Sequence, residues 1–186
     1  MKERIRILVD GHLIDRQKGG SATYIIGLFN ALSKNKKYHI TLALRNPIKV
    51  KGILSEDIKI KKLNSHSTLT LFLFEYPLIF LREKYEFAHF TYFSPFLVRS
   101  KILLSVHDLI FWDYPQYYST SHRLPRIISY YLSIKTANKI YTISQYSAER
   151  ISQLTHTPKK KIHITPCSSS LTKNNNTALT HTHRSE

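Results

Sequence analysis

The chain has 186 residues, 42% of them hydrophobic, with 28 Lys and Arg against 12 Asp and Glu for a formal net charge of +16. That length suits one domain with its own core, able to bury roughly 70% of its unfolded surface, and the apolar share excludes a chain disordered throughout. The single cysteine, Cys167, excludes a disulfide framework and any cysteine-based zinc site, and the charged start Met1-Lys2-Glu3-Arg4 is not a secretory signal.

An apolar run over residues 5–9, with Ile5, Ile7 and Val9 around Leu8, reads as a short strand ending at Asp10-Gly11. After a loop to Gly19-Gly20, Ile25, Leu28, Phe29 and Leu32 recur at the spacing of one helical face, with Ser21 or Thr23 placed to cap it. The glycines permit a tight backbone turn before the positive end of that helix. Residues 40–44 form a second strand closed by Asn46-Pro47, and Ile58 and Ile60 alternate with lysines as in a short edge strand. Residues 70–84 read as a helix bent at Pro77, followed by strands over 87–90 and 101–106. Pro125 opens a helix to Thr136, with Ile128, Tyr131, Leu132 and Lys135 on its faces. Residues 139–143 form a strand, Ser144 caps a helix over 145–154, and residues 162–164 form the last strand.

Strands separated by helices imply right-handed crossovers. The expected fold class is therefore α/β, a doubly wound parallel sheet of Rossmann type over residues 1–166. Residues 167–186 lose the apolar periodicity and carry consecutive serines and asparagines, so a disordered polar tail is expected. His181 and His183 in that tail form a short histidine cluster with no third ligand fixed nearby, and no metal or cofactor is assigned.

The longest apolar stretch, residues 69–81, is too short to span a bilayer and contains Glu75 and Pro77, which predicts a cytoplasmic chain, soluble or peripheral on the inner face of a membrane. Lysine clusters at residues 34–37, 59–62 and 159–161 make a field that attracts polyanions. A basic surface rich in Tyr and Phe suits an anionic membrane, and plain solvation of a lysine-rich chain explains the charge equally well. No helix-turn-helix, zinc-finger or RNP-type motif occurs, which makes nucleic acid the less favoured partner.

One stretch stands out chemically. Residues 102–106 deliver the pair His107-Asp108 and then an aromatic, proline-marked loop, Leu109-Ile110-Phe111-Trp112-Asp113-Tyr114-Pro115. In an open parallel sheet, ligands bind where strands stop at their carboxyl ends. An imidazole and a carboxylate at such a point can do chemistry, or His107 can simply bond a loop carbonyl.

Taken together, these segments resemble the amino-terminal half of family 4 glycosyltransferases, the retaining enzymes of the two-domain GT-B fold. The resemblance runs over residues 5–166. It rests on Ile7-Leu8-Val9-Asp10-Gly11 with Gly19-Gly20-Ser21-Ala22-Thr23-Tyr24, on Phe90-Thr91-Tyr92-Phe93-Ser94-Pro95, and on Val106-His107-Asp108-Leu109-Ile110 with Tyr114-Pro115. It closes with Ala137-Asn138-Lys139-Ile140-Tyr141-Thr142-Ile143-Ser144-Gln145-Tyr146-Ser147 and with Lys161-Ile162-His163-Ile164-Thr165-Pro166.

The resemblance implies a domain that faces the acceptor, a glycan or lipid-linked molecule, while a second domain holds the nucleotide-sugar donor. It implies a binding role for Gly19, Gly20, Ser21, Tyr24 and Tyr92, a place for His107 beside the transferred sugar, and a place for Ser144 at the same cleft. Asp108 would orient His107 or the loop. Where the family continues through an Asn-Gly turn into a whole second domain, this sequence reads Cys167-Ser168-Ser169-Ser170. The expectation is a chain inactive by itself, either a truncated descendant or a subunit completed by a separate donor-binding chain, because a half-site cannot position donor against acceptor. The alternative is a non-catalytic basic module that holds an anionic glycan, lipid or membrane surface.

Overall fold

The computed structural model of the protein describes residues 4–15 and 19–166. The expected polar tail, with His181 and His183, lies outside the described residues.

The strands are β1 (Ile5–Asp10), β2 (Tyr38–Leu44), β3 (Ile58–Lys62), β4 (Phe87–Thr91), β5 (Lys101–Ser105), β6 (Lys139–Thr142) and β7 (Ile162–Ile164). They form one seven-stranded sheet in the order β3-β2-β1-β4-β5-β6-β7, and every neighbouring pair is parallel. The α/β fold class is as the alternating strand and helix periods predict. β3 lies at an edge, where its exposed lysines require no second neighbour.

Among the described residues, seven α-helical segments lie between the strands: α1 (His12–Asp15), α2 (Gly20–Ser33), α3 (Thr68–Thr70), α4 (Tyr76–Arg82), α5 (Ile110–Asp113), α6 (Thr120–Thr136) and α7 (Gln145–Thr155). Side chains alternate between the two faces of the sheet, so β1 sends Ile7 and Val9 into one core with Ile25 and Phe29 of α2. Leu8 enters the other core, with Tyr76 and Ile79 of α4, Ile134 of α6 and Ile151 of α7. Helices therefore cover both faces, and neither cluster could form from one side of the sheet alone.

Three local expectations are corrected. The irregularity in the helix over residues 68–82 precedes Pro77: a π-helical turn, Leu71–Glu75, joins α3 to α4, and Pro77 sits in the first turn of α4. Because Pro77 has no N–H to give, the turn before it widens, and the Tyr76 N–H reaches back to the Leu71 carbonyl. Next, α6 begins at Thr120 and Pro125 lies inside it, early enough that the missing donor interrupts only the amino-terminal turns. Its buried residues are Tyr130, Ser133 and Ile134, whereas Ile128, Tyr131 and Leu132 are exposed. Finally, α2 is entered through Gly19 with no side-chain cap bond, so neither Ser21 nor Thr23 caps it.

Candidate functional site

The strand order reverses at β1, which pairs with β2 on one side and β4 on the other. Past the carboxyl ends of such strands the loops diverge in opposite directions and leave a crevice. β1, β4 and β5 all end there.

α2 starts at that crevice. A Cβ added at Gly19 or at Gly20 would meet nothing within 4 Å, and only Gly52 among the described glycines has a positive φ. Glycine is thus not required by the local backbone; it leaves open space at the amino end of the helix, where free N–H groups favour an anion. Ser21 and Tyr24 follow in the first turns. The Ser21 side chain acts on the Tyr92 hydroxyl, pulling its pKa down against the larger effects that raise it. The Tyr24 ring meets the His107 imidazole edge-on at 4.6 Å between centroids.

Tyr92 stands just beyond β4 with φ 68°, a left-handed conformation costly for an aromatic residue. The Phe93 N–H bonds the Thr91 carbonyl at 3.0 Å and closes a three-residue turn around it. The strained position aims the side chain. Its ring stacks on Tyr130 at 5.3 Å, and its hydroxyl donates to Asp108 Oδ2 at 2.8 Å. Burial, then the Asp108 carboxylate, push the Tyr92 phenol well above its ordinary value, so it stays a donor.

His107 is buried, two residues past the end of β5. Its carbonyl accepts from Ser147 Oγ at 3.0 Å, while Nε2 is buried with no partner among the described residues. Burial lowers the imidazole pKa, with Asp108 opposing, so the ring is neutral at physiological pH and can donate from one nitrogen and accept at the other. Asp108 makes its hydrogen bonds to the Tyr92 hydroxyl and the Ile110 N–H, not to the imidazole. Of the two orienting roles expected of Asp108, the geometry matches the loop and Tyr92. Ser144 caps α7 by accepting from the Ser147 N–H at 3.1 Å, and it touches His107 only through Ser147. The sequence-predicted residues therefore converge at one edge of the sheet, with Ser144 behind the others.

Two polar groups there were not singled out from the sequence. Asp10, at the end of β1, accepts from His12 Nδ1 and from the Tyr76 hydroxyl, each at 2.5 Å, and from the His12 N–H at 3.0 Å. Burial works against this carboxylate, but His12 and the hydrogen bonds outweigh it and hold the pKa below its ordinary value. His12 itself is fully buried between Phe72 and Phe93, with Nε2 unpartnered among the described residues. A carboxylate and an imidazole two residues apart at a strand end were the available signal. The second group is His89, inside β4, whose Nε2 shares a 2.8 Å hydrogen bond with Ser105 Oγ; Tyr24 reaches the same oxygen at 3.3 Å. Among the described residues, no cluster of three or more His, Cys, Asp or Glu is gathered to hold a metal ion.

No protein-family model and no curated protein matches the sequence. Solved structures do match the fold. A UDP-N-acetylglucosamine 2-epimerase superposes with a TM-score of 0.63 at 9% identity, over 88% of this chain and 48% of that one. The UDP-GlcNAc 2-epimerase of Methanocaldococcus jannaschii superposes with a TM-score of 0.55 at 14% identity, over 87% of this chain and 45% of that one. The fold is GT-B-like. The chain spans about half the length of these proteins, and both are epimerases rather than family 4 glycosyltransferases, so the likeness supports the coarser architecture. No helix among the described residues is long and apolar enough to cross a membrane.

Proposed function

We propose that this chain is the acceptor-side half of a nucleotide-sugar enzyme, of the family 4 glycosyltransferase type, whose parent activity is retaining transfer of a sugar to a glycan or lipid-linked acceptor in cell-surface polysaccharide synthesis. The observation that carries it is the buried Nε2 of His107, unpartnered among the described residues, at the carboxyl edge of the sheet on a ring packed against Tyr24 of α2. That both structural neighbours are enzymes of UDP-N-acetylglucosamine supports a nucleotide sugar as the donor.

In this role the bond between the anomeric carbon and the phosphate oxygen breaks, an acceptor hydroxyl oxygen bonds that carbon from the same face, and its proton passes to the departing nucleoside diphosphate. The neutral His107 ring bonds a hydroxyl of the transferred sugar and stabilises charge that develops at the breaking bond. Tyr92 and Asp108 hold the loop beneath it, and the amino end of α2 favours the negative oxygens of the leaving group or acceptor. A second half is needed to grip the nucleotide, so the 186-residue chain alone should transfer no sugar.

The test is to supply a donor-binding domain, fused or as a separate chain, and assay a panel of UDP-sugars for transfer and for epimerisation. His107→Ala should lower kcat about 100-fold. His163→Ala, in β7 outside the site, is the matched control and should leave turnover within about twofold. Epimerised UDP-sugar without transfer would overturn the glycosyltransferase assignment, and equal tolerance of both substitutions would remove His107 from the site.

A further inference from the structure

β3 is open along its outer side. In a parallel strand the N–H and C=O of one residue point to the same side, and successive residues alternate. The Leu63 N–H bonds the Leu44 carbonyl of β2 at 2.9 Å, so Lys59 and Lys61 turn their backbone groups to β2. Those of Ile58, Ile60, Lys62 and Asn64 therefore face away. The outer two N–H groups are satisfied locally: that of Ile58 bonds the Ser55 carbonyl at 3.1 Å, and that of Asn64 bonds Glu75 Oε1 at 2.7 Å. Between them, the outward N–H and C=O groups of Ile60 and Lys62 have no partner among the described residues. Such a row is a template for another strand.

A cavity of about 520 Å³ lies between β3 and the helix over residues 68–82. Phe74 and Leu78 of that helix line it, 63% and 47% exposed, on the face where a solvated helix carries charges. An extended chain paired with β3 would lay alternate side chains against this apolar wall. Charge selects the chain. Lys62 and Arg82 line the same cavity, and among the described residues no ion pair involves either. The next outward position along the edge is already filled by an anion, since the Glu75 carboxylate takes the Asn64 and Ser65 N–H groups. A second copy of β3, with its three lysines, would set lysine against lysine, whereas an acidic strand sets carboxylates there. We infer that the free edge of β3 takes up an acidic, extended segment of a partner protein by strand addition, in the groove beside the helix over residues 68–82. Three strands separate β3 from β5, so this interaction is independent of the chemistry proposed at His107.

Fluorescence anisotropy of the purified chain with a labelled peptide of alternating valine and glutamate tests this. Its counterpart methylated at every backbone nitrogen keeps the side chains and charge but has no N–H to give the edge. The unmethylated peptide should bind at least about tenfold more tightly, and its affinity should fall as salt rises. Ile60→Pro deletes an outward donor and spares the ladder to β2, a position where an edge strand tolerates proline, and should weaken binding at least about tenfold. The methylated peptide reads the same bonds without altering the protein. Lys62→Gln with Arg82→Gln should weaken binding about tenfold, and Lys101→Gln with Lys139→Gln, an equal loss of charge on exposed residues of β5 and β6, should leave it within about twofold. Equal binding of the two peptides, or equal loss for the two pairs of substitutions, would mean that net charge alone holds the peptide and would overturn the proposal. So would wild-type affinity in folded Ile60→Pro. Self-association that Ile60→Pro abolishes, with no peptide binding, would assign the edge to a second copy of the chain instead.

Discussion

His89 makes stability depend on pH in a way that can be isolated. It is 3% exposed, bonded through Nε2 to Ser105 Oγ, edge-on to Phe29 at 5.0 Å, with Nδ1 unpartnered among the described residues. Burial pulls its pKa from 6.5 down to about 4, with Asp10 partly opposing and His107 adding to the fall. The unfolded chain takes up this proton at its ordinary pKa, whereas the folded chain resists until about 4. The stability His89 confers is therefore complete above the unfolded pKa and is lost as pH falls from 6.5 through about 4. Between about pH 7.5 and about pH 5 the loss from this one group is roughly 2 kcal/mol. Urea unfolding measured across that range, for the wild type and for His89→Gln, reads the effect directly. Glutamine cannot titrate, so its curve should fall by roughly 2 kcal/mol less, whatever the substitution does to stability at neutral pH. The lowered His107 pKa leaves a residual slope of the same sign in both proteins. Parallel pH curves would refute the assignment of a neutral, desolvated imidazole to His89.

Three other outcomes are expected. Tyr92→Phe keeps the stacking on Tyr130 but removes the donor to Asp108, and should cost about 1–2 kcal/mol in urea unfolding. Gly11→Ala places a Cβ 2.8 Å from the Ala43 carbonyl oxygen and 3.1 Å from Leu42 Cδ1, and should destabilise by about 2 kcal/mol in the same assay. Gly20→Val, whose added Cβ meets open space, should leave stability within about 0.5 kcal/mol while weakening ligand binding in the reconstituted enzyme, a pairing that separates a binding glycine from a structural one.

The sheet was legible because its inner strands are near-continuous apolar runs, such as Ile5 to Val9, and parallel strands covered on both faces need that pattern. The His107-Asp108 pair was legible because it follows such a run directly. The Asp10, His12 and Tyr76 group was not: Tyr76 is 66 residues from Asp10, and no periodicity announces a contact made across a crossover. The buried face of α6 was not legible, because Ile128, Tyr131, Leu132 and Lys135 lie on its faces in sequence while Tyr130 and Ile134 turn to the core. With apolar residues on both sides, spacing alone does not select the buried one. The exposed face of the helix over residues 68–82 was hidden for the same reason.

The position of β1 between β2 and β4 also bears on how the chain reaches this state. Two hydrogen bonds join Arg6 and Glu86 across the seam, one from the Glu86 N–H to the Arg6 carbonyl at 3.0 Å and one from the Arg6 N–H to the Glu86 side-chain Oε1 at 3.1 Å. The strands they join are separated by three connections and two intervening strands, so the central seam of the sheet closes over a long stretch of chain. Contacts of such high sequence separation slow folding, because the loop-closure entropy is lost before the contacts repay it. Until β4 arrives, a nascent chain holding only β1 to β3 leaves β1 as a bare, hydrophobic edge. An edge of that kind invites pairing with another chain, which makes the interval between the emergence of Lys62 and that of Thr91 the step at which aggregation competes with folding.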